Sequence, residues 1–476
     1  MIAPWAAVEV GGADLGDTRL DDRLAILLST LGSRPNLSIP AACRGRAEIK
    51  AAYRFFDNDK VTFEKVIAPH VAKTKERMAE HEVVLLVQDT TEIDLTRPEQ
   101  DVTGVGELDG ARQGFLLHEM QAFTVDGIPL GTVWAEVLNR IEGVSHASAA
   151  EKGRNRKQTP IEDKESMRWV TGLRGARQVA QELPAVQCVC VADSEADIYE
   201  LFAEPRGEHP VHWLVRACQD RALDGGEAQR LREEVLATPA LYEVELTIRG
   251  RHAKTAAEDR ARRQNRETRQ AKVEVRAACV TLRPPYRHDR KLPRVTVNVV
   301  LVREPNAPPA EIPVEWILVT TLPIDTLEQV RAIVEYYCVR WCIEILFRTL
   351  KSGCRIERRR FEHIDRVLPC LGLCLIVAWR TLFVCRMGRS CPDLDCQAIF
   401  EPSEWKAVWM TVKRTKPPKQ VPRLSEMVHL VASLGGYIER PESEPGKQTL
   451  WIGIQRMYDL AWARDTFGPE AKSRTN

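Results

Sequence analysis

TLEQVRAIVEYYCVRWCIEILFRTLKS, residues 326–352, contains neither proline nor glycine and predicts one continuous helix, about 40 Å long at 1.5 Å per residue. Asp325 followed by Glu328 predicts a capping box at its start, and Gly353 can close its end. We expect the rest of the chain to be arranged around this helix, because two of its faces carry different chemistry.

One face of the predicted helix is apolar and can pack into a core, through Val339, Ile343, Leu346 and Leu350. Polar side chains spaced by three or four residues form a second stripe, made of Tyr337, Arg340, Glu344, Arg348 and Lys351. Ion pairing on a solvated face would explain an ordinary stripe of this kind. A tyrosine and a net positive charge around one carboxylate favour a functional surface instead.

The composition is typical of a globular protein with several domains. The 476 residues suffice for two to four domains, and 44% hydrophobic with 28% charged residues indicates a globular chain. The net charge of +1 does not by itself indicate a nucleic-acid partner. The 13 cysteines include no CxxC pair, so we interpret them as reduced core thiols rather than a metal site.

The sequence predicts no membrane segment. The first residues have neither the basic nor the long apolar region of a signal peptide, and the reduced thiols predict a cytoplasmic protein. The most apolar stretch, 367–385, contains Pro369, Gly372 and Arg380. We interpret it as a buried core helix rather than a membrane span.

Residues 1–75 predict a helical domain. We expect helices from an Asp17 cap to about residue 31, over 46–56, and from about 62 to 78. The middle helix carries a basic stripe of Arg46, Lys50 and Arg54, with Ile49, Tyr53 and Phe56 on the opposite side. Such a stripe can bind DNA in a helix-turn-helix-like domain, or it can simply be solvated.

Residues 76–365 predict an α/β fold. A buried strand over 83–87 delivers Asp89 at its C-terminal end, and a hairpin, a helix and a second buried strand ending at Asp193 follow. With a short helix and a strand at 211–216, this is the element order of a ribonuclease-H-like domain. The next helix, 326–352, is delayed by a β-rich insertion at about 220–322. The strand-like runs of this insertion lie at 241–249, 271–283, 294–303 and 315–321. For the elements before the insertion, the predicted bounds are 118–125 and 128–137 for the hairpin, 162–183 for the helix and 186–192 for the second buried strand.

Two further regions carry hypotheses. Residues 249–276 hold ten Arg or Lys against four acids, and form either a solvated loop or a contact to phosphates through Arg262, Arg263 and Arg266. Residues 366–476 predict a helical C-terminal domain. We expect its last two helices, 424–434 and 450–462, to be loosely attached, to mediate association, and to be removable without unfolding the rest.

Three carboxylates occupy positions that a ribonuclease-H-like fold would bring together: Asp89, Asp193 and Glu344. Clustered carboxylates repel one another unless cations neutralise them, and Mg²⁺ prefers carboxylate and water oxygens. Two such ions about 4 Å apart can promote phosphodiester displacement. Glu195 and Asp197 are rival acids, and Asp193 is favoured because it ends the strand.

At these residues the chain resembles a known family. Tyr337-x2-Arg340-x3-Glu344-x6-Lys351 fits the YREK signature of the bacterial cut-and-paste DDE transposases of the insertion-sequence-four (IS-four) family. Further motifs, in the same order from about residue 5 to 465, are similar to its Tn-five branch. They include Leu15-Gly16-Asp17, Ala52-Tyr53-Arg54-Phe55, Asp89-Thr90-Thr91, Asp193-x-Glu195-Ala196-Asp197-Ile198, Trp316, Arg340-Trp341 and Leu434-Gly435-Gly436. Two positions depart from that branch: Ile345 replaces a second acid, and Phe115-Leu116 replaces an aromatic pair.

The resemblance implies a helical DNA-binding domain (1–75), a ribonuclease-H-like catalytic domain (76–365) and a helical dimerisation domain (366–476). It implies that Asp89, Asp193 and Glu344 bind two Mg²⁺ ions, for which Mn²⁺ can substitute. Water nicks a transposon end, the freed 3′-OH forms a hairpin, and after hairpin opening the 3′-OH attacks target DNA. The implied DNA contacts are Tyr337, Arg340, Arg348, Lys351, Trp341 and Arg216, while Trp316 receives a flipped base. The implied partners are double-stranded DNA and a second copy of the chain, assembled on DNA in the bacterial cytoplasm at the nucleoid.

Three alternatives stay open on the sequence alone. A metal-dependent nuclease could use the same fold without strand transfer, and an inactive derivative could bind DNA ends as a regulator. A glycosidase also uses paired carboxylates, but it has no need of the Arg-Lys stripe.

Overall fold

The structure, a computed structural model, describes residues 2–43, 45–97, 99–140, 159–207, 210–225, 229–248, 268–309, 311–439 and 444–467. The chain forms two compact units. The first comprises residues 1–84, 89–146 and 341–476, and the second comprises 85–88 and 147–340. Each unit is therefore built from segments that are far apart in sequence.

The N-terminal segment of the first unit is helical. Its helices are α1 (Pro4–Glu9), α2 (Thr18–Ser33), α3 (Ile39–Ala42), α4 (Arg46–Phe56) and α5 (Phe63–Met78). The three longer helices confirm the prediction, and the side chain of Asp17 caps α2 by accepting the amide of Arg19. Of the residues predicted opposite the basic stripe of α4, Phe56 is buried, Ile49 is half-buried and Tyr53 is 37% exposed, while Ala52 and Phe55 supply the rest of the buried side.

The next strands are β1 (Val83–Asp94), β2 (Gly106–Asp109), β3 (Arg112–Phe123) and β4 (Pro129–Leu138). All belong to the first unit except residues 85–88 of β1, which belong to the second. The predicted hairpin is present as β3 and β4. Strand β1 is longer than predicted, so Asp89 lies inside it rather than at its end. The reason is that backbone pairing with the β3 segment continues, as the amide of Leu95 donating to the carbonyl of Gln113 shows at 2.8 Å.

The second unit contains the remaining strands: β5 (Gln187–Ala192), β6 (His212–Arg216), β7 (Tyr242–Ile248), β8 (Arg269–Leu282), β9 (Val295–Arg303) and β10 (Glu315–Thr320). Four strands lie where the sequence predicted them within 220–322. Their order is β5-β6-β10-β9-β8-β7, with β5 and β6 parallel and the later pairs antiparallel. The mixed sheet is thus extended by a meander after its parallel part.

The helices of the second unit are α6 (Met167–Glu182), α7 (Tyr199–Phe202), α8 (Leu231–Ala237) and α9 (Leu327–Val339). Helix α6 begins five residues later than predicted. Ile161–Asp163 instead form a short 3-10 turn directly after Pro160.

The helix predicted over 326–352 is divided. Helix α9 ends at Val339, Arg340 lies in a turn, and α10 spans Trp341–Arg348. The amide of Arg340 donates to the carbonyl three residues back, at Tyr337, which tightens the α-helical pattern locally. The capping box also differs, because Thr326 and Gln329 form it rather than Asp325 and Glu328.

The predicted closure by Gly353 is wrong as well. Thr349–Gly353 form a π-helical turn that continues α10. A Cβ on Gly353 would lie 3.1 Å from the ring of Trp451, so this glycine permits close packing rather than a reversal of the chain.

The C-terminal segment belongs to the first unit and contains α11 (Ile364–Ser390), α12 (Pro402–Lys413), α13 (Leu424–Leu434) and α14 (Lys447–Phe467). Helix α11 is long and apolar enough to cross a membrane, but 83% of its most apolar window is buried inside the protein. The prediction of a buried core helix is therefore confirmed.

The last two helices are not loosely attached, which contradicts the sequence-based expectation. Leu424, Met427 and Leu450 are inaccessible and share one core cluster with Val384 of α11. A Cβ on Gly453 would lie 1.8 Å from the carbonyl oxygen of Val431, so α13 and α14 touch backbone to backbone. Removing residues after 420 would expose this core, so truncation is not a clean test of association.

Candidate active site

Asp193 lies at the carboxyl end of β5, as the sequence predicted. Its side chain caps the following 3-10 turn, with Oδ1 accepting the amide of Glu195 at 2.8 Å. Residues 189–192 of β5 pair in parallel with residues 212–215 of β6. Arg216 therefore ends β6 at the same edge of the sheet as Asp193, and its guanidinium donates to the hydroxyl of Ser194 at 3.2 Å.

Tyr337 of the predicted stripe lies near Asp193, and Arg340 lies next to Tyr337. Tyr337 is 1% exposed and Arg340 is 4% exposed, and the Arg340 guanidinium lies 6.0 Å from the centre of the Tyr337 ring. Burial raises the pKa of the Tyr337 hydroxyl, Arg216 and Arg340 oppose that rise, and the charge of Asp193 adds to it. The hydroxyl therefore stays protonated at neutral pH and remains a hydrogen-bond donor.

Trp316 contacts this group from β10. It pairs with Val302 across the sheet, is half-buried, and its ring centre lies 5.6 Å from that of Tyr337 at an interplanar angle of 58°. An aromatic face next to a buried tyrosine and an arginine can support a stacked base.

The two rival acids have other partners. Asp197 is 3% exposed, pairs with Arg221, and accepts the amides of Cys218 at 2.8 Å and Gln219 at 2.9 Å. Glu195 is exposed and forms an ion pair with Arg168 at 2.7 Å. A fully satisfied buried carboxylate is suited to hold the loop after β5 in place, which supports the choice of Asp193 for chemistry.

Asp89 lies in the first unit, where β1 passes from fully buried to half-buried positions. Its Oδ1 accepts the amide of Thr90 at 2.7 Å, and the Thr90 hydroxyl lies 2.8 Å from Nδ1 of His118 on β3. Glu119, the next residue, is inaccessible to solvent. Burial raises its pKa to about 8, with a smaller contribution from the charge of Asp89.

The side chains of Glu344, Arg348 and Trp341 are exposed on α10, and Trp341 is 48% exposed. Lys351 follows in the π-helical turn, where its Nζ lies 3.8 Å from Glu357. Glu357 also accepts the amide of Asp94 at 3.3 Å. The turn that carries Lys351 is thereby linked to β1, the strand of Asp89.

The remaining predicted DNA contacts form two sets, of which the structure describes only one. Arg46, Lys50 and Arg54 are all exposed on α4. Arg262, Arg263 and Arg266 lie outside the residues that the structure describes.

The donor chemistry fits a hard divalent ion, since carboxylate oxygens are the ligands that such ions prefer. Within the described residues, no three His, Cys, Asp or Glu side chains are placed to share an ion. Asp193 uses one oxygen to cap the turn, so the second oxygen of its carboxylate can serve as a ligand.

Sequence reasoning missed the polar residues that support β1 and the π-helical turn, namely His118, Glu119 and Glu357. His118 and Glu119 directly follow the apolar run 115–117 of β3, and two polar residues in succession at that point could have identified them. Glu357 offered no signal for its contact with β1, because Asp94 is distant from it in sequence.

Comparison with known families gives three matches in chain order. Residues 2–61 match the family described as transposase DNA-binding, and residues 170–379 match the transposase DDE domain. Residues 376–464 match the transposase Tn5 dimerisation domain. These matches define a DNA transposase with a DDE catalytic domain, which implies a ribonuclease-H-like core and dependence on a divalent metal ion. The chain belongs to the Tn-five-like branch of the IS-four family of DDE transposases.

A stability measurement can distinguish the roles of Asp193 and Asp197. Asp197→Asn leaves Arg221, whose side chain is 9% exposed, without its charged partner, and should lower the free energy of unfolding by about 3–5 kcal/mol. Asp193→Asn should leave it within about 0.5 kcal/mol, because asparagine caps as well as aspartate. Urea denaturation of both variants measures the difference. Equal stability of the two variants would contradict the structural role of Asp197.

Proposed function

We propose that this transposase excises its element by nicking, hairpin formation and strand transfer, with Asp89, Asp193 and Glu344 as its catalytic carboxylates. Supporting this is the group around Tyr337, whose phenol interacts with the Arg216 and Arg340 guanidinium groups and with the Asp193 carboxylate. Such a group can bind a phosphate beside a metal-binding carboxylate. The proposal that the three carboxylates act on one phosphodiester rests on the family signature.

The three carboxylates would hold Mg²⁺, or Mn²⁺ in its place, as two ions per active site. When bound, a divalent ion supplies charge stabilisation to the phosphodiester under attack and favours deprotonation of the nucleophile. The chain's own residues bind and orient the DNA. Arg340 and Arg216 hold the non-bridging phosphate oxygens, Tyr337 donates its hydroxyl, and Arg348, Lys351 and Trp341 contact the strand further along.

The reaction proceeds by exchange of phosphodiester bonds. Water attacks the phosphodiester at the transposon end, and the bond to the 3′ oxygen breaks to give a free 3′-OH. That hydroxyl attacks the opposite strand, which forms a hairpin and releases the flanking DNA. A second water attacks the hairpin phosphodiester and breaks its bond to the transposon 3′ oxygen, which restores the 3′-OH. That 3′-OH then attacks a phosphodiester of target DNA and displaces the target strand's 3′ oxygen.

The finer domain limits are part of the proposal. We place the DNA-binding domain at 1–75, where α4 presents its basic stripe, and the dimerisation domain at 366–476. Between them, the ribonuclease-H-like core at 76–365 is interrupted at about 220–322 by β7 to β10. The antiparallel meander after the parallel pair β5-β6 supports this division.

Replacing any of the three carboxylates should abolish cleavage and spare DNA binding. Asp89→Asn, Asp193→Asn and Glu344→Gln remove the charge that binds the ion, while the phosphate contacts remain. End binding should stay within a few fold in a gel-shift assay, and a labelled end should not be nicked with Mg²⁺. Clear nicking by any one variant would exclude that residue. A wild-type enzyme that nicks ends but never joins a free 3′-OH to target DNA would be a nuclease instead.

Trp316→Ala should slow hairpin formation far more than the first nick, because only the hairpin requires a base to leave the stack. Stacking of a base on an aromatic ring is worth about 1–3 kcal/mol, which corresponds to roughly 5- to 150-fold in the hairpin rate. Single-turnover time courses resolve the two steps. Trp316→Phe retains a stacking face and should recover most of the rate. Equal slowing of both steps would indicate a packing defect near Tyr337.

The dimer interface is best sought on exposed apolar side chains of the C-terminal domain. Trp462 is 44% exposed and Phe467 is 77% exposed, with ring centres 5.9 Å apart in an edge-to-face contact. Neither forms part of the core cluster shared by α11, α13 and α14. We propose that a second copy of the chain covers them when two DNA ends are paired.

The double variant Trp462→Ser and Phe467→Ser should bind a single end normally but fail to form the paired-end complex on a native gel. Hairpin formation should be lost with it, since each active site would act on the end held by the other subunit. Ile438→Ser, at a side chain 73% exposed elsewhere in the domain, is the matched control. If the double variant still pairs ends, the interface lies on another surface.

A further inference from the structure

Arg355 has a backbone conformation that arginine rarely adopts. Its φ is 50° and its ψ is 43°, in the left-handed region. Among the described residues, only one other non-glycine residue has a positive φ, namely Arg414. A side chain with a Cβ is strained there, whereas glycine is not and asparagine is less so.

The local structure explains why the conformation is left-handed. The amide of Cys354 donates to the carbonyl of Thr349 at 2.9 Å and ends the π-helical turn. Arg355 then reverses the chain into the 3-10 turn of Ile356–Arg358, whose last amide donates back to the Arg355 carbonyl at 2.9 Å. This is the position after a helix where glycine is normally found. The nearest glycine, Gly353, is two residues too early and packs against Trp451. Local stability therefore favours glycine, and the arginine requires another explanation.

The contacts of Arg355 within the fold do not explain why an arginine occupies this position. Its side chain is exposed, and among the described residues its guanidinium makes neither a hydrogen bond nor an ion pair. The contrast with Arg359 in the same segment is clear. That side chain is 3% exposed and donates to the carbonyls of Pro35 and Leu37, so it has a structural role.

The location of Arg355 suggests a role in the reaction. It follows Lys351 by four residues, and Lys351 pairs with Glu357 two residues beyond Arg355. Glu357 accepts the amide of Asp94, so the turn is fixed to β1. A strained residue with an exposed cationic end, on a turn that is held rigidly next to a phosphate-binding lysine, is typical of a ligand contact.

We propose that Arg355 binds a backbone phosphate of the transposon-end DNA, one contact further along the strand than Lys351. The left-handed backbone directs the arginine away from the fold, and the rigid turn limits the conformational entropy lost on binding. The proposal rests on the proposed function, since it takes transposon-end DNA as the ligand.

The test separates charge from backbone conformation by three substitutions. Arg355→Gly and Arg355→Asn remove the charge and relieve the strain, while Arg355→Lys keeps the charge and the strain. Arg414→Gly is the matched control, because it relieves the same strain at the end of α12, where no phosphate contact is proposed. Each variant is measured for its melting temperature and for its affinity for a labelled transposon end over a series of salt concentrations.

We expect Arg355→Gly and Arg355→Asn to melt at the wild-type temperature or above it. Their plots of log affinity against log salt should be shallower by roughly 0.9, the value for one lost phosphate contact. Arg355→Lys should restore the wild-type slope, and Arg414→Gly should melt higher without changing it.

Two outcomes would overturn the proposal. An unchanged salt slope in Arg355→Gly and Arg355→Asn would show that the guanidinium does not reach a phosphate. A lower melting temperature in both would show that arginine stabilises the turn itself. Failure of the proposed function is distinguishable, because it shows in the wild-type protein as a loss of end binding, nicking or joining, whereas this proposal is tested by the salt slopes of variants that are compared with the wild type.

Discussion

The parallel pairing of β5 with β6 is the constraint on which the catalytic half of the molecule depends. Because parallel strands end at the same edge of a sheet, Asp193 and Arg216 are brought close together although 22 residues separate them. Buried Tyr337 and Arg340 then complete the group in surroundings where charge interactions are stronger than in water. Asp197, paired with Arg221, holds the loop after β5, and the geometry of Asp193 follows from that support.

Much of the architecture was predictable because it depends on local patterns. Helix α4 has the predicted bounds, and all four strands between 220 and 322 appear, since alternating or continuous apolar runs specify a strand wherever it packs. The division at Arg340 was not predictable. No proline or glycine marks it, and the α-helical spacing of the polar stripe continues across it. Tyr337 and Arg340 are buried, whereas Glu344 and Arg348 on the same stripe are exposed. This difference depends on tertiary packing, which the spacing of residues in the sequence does not reveal.

The candidate site shows the same limit at the level of single residues. Asp193 could be found because a buried strand ends in an acid. Asp89 was recognised as an acid after an apolar run, yet the strand continues past it through pairing with a segment some 20 residues downstream, which no local signal encodes. The left-handed conformation of Arg355 could not be predicted from the sequence, because it depends on the π-helical turn that precedes it. Glycine placement predicted the wrong residue there, because Gly353 is required for contact with Trp451.

The apolar character of α11 has a consequence for synthesis on the ribosome. Its 27 residues pack on α2, α5 and β4, which are made earlier, and on α13 and α14, which are made later. A nascent chain that has reached α12 therefore presents one side of a helix hydrophobic enough for a bilayer, with its final cover still untranslated. Chaperone binding to that side during elongation would protect the chain from aggregation and from misdirection to the membrane insertion machinery. The order of helices along the chain thus makes the packing of α13 and α14 on α11 a late step in biogenesis.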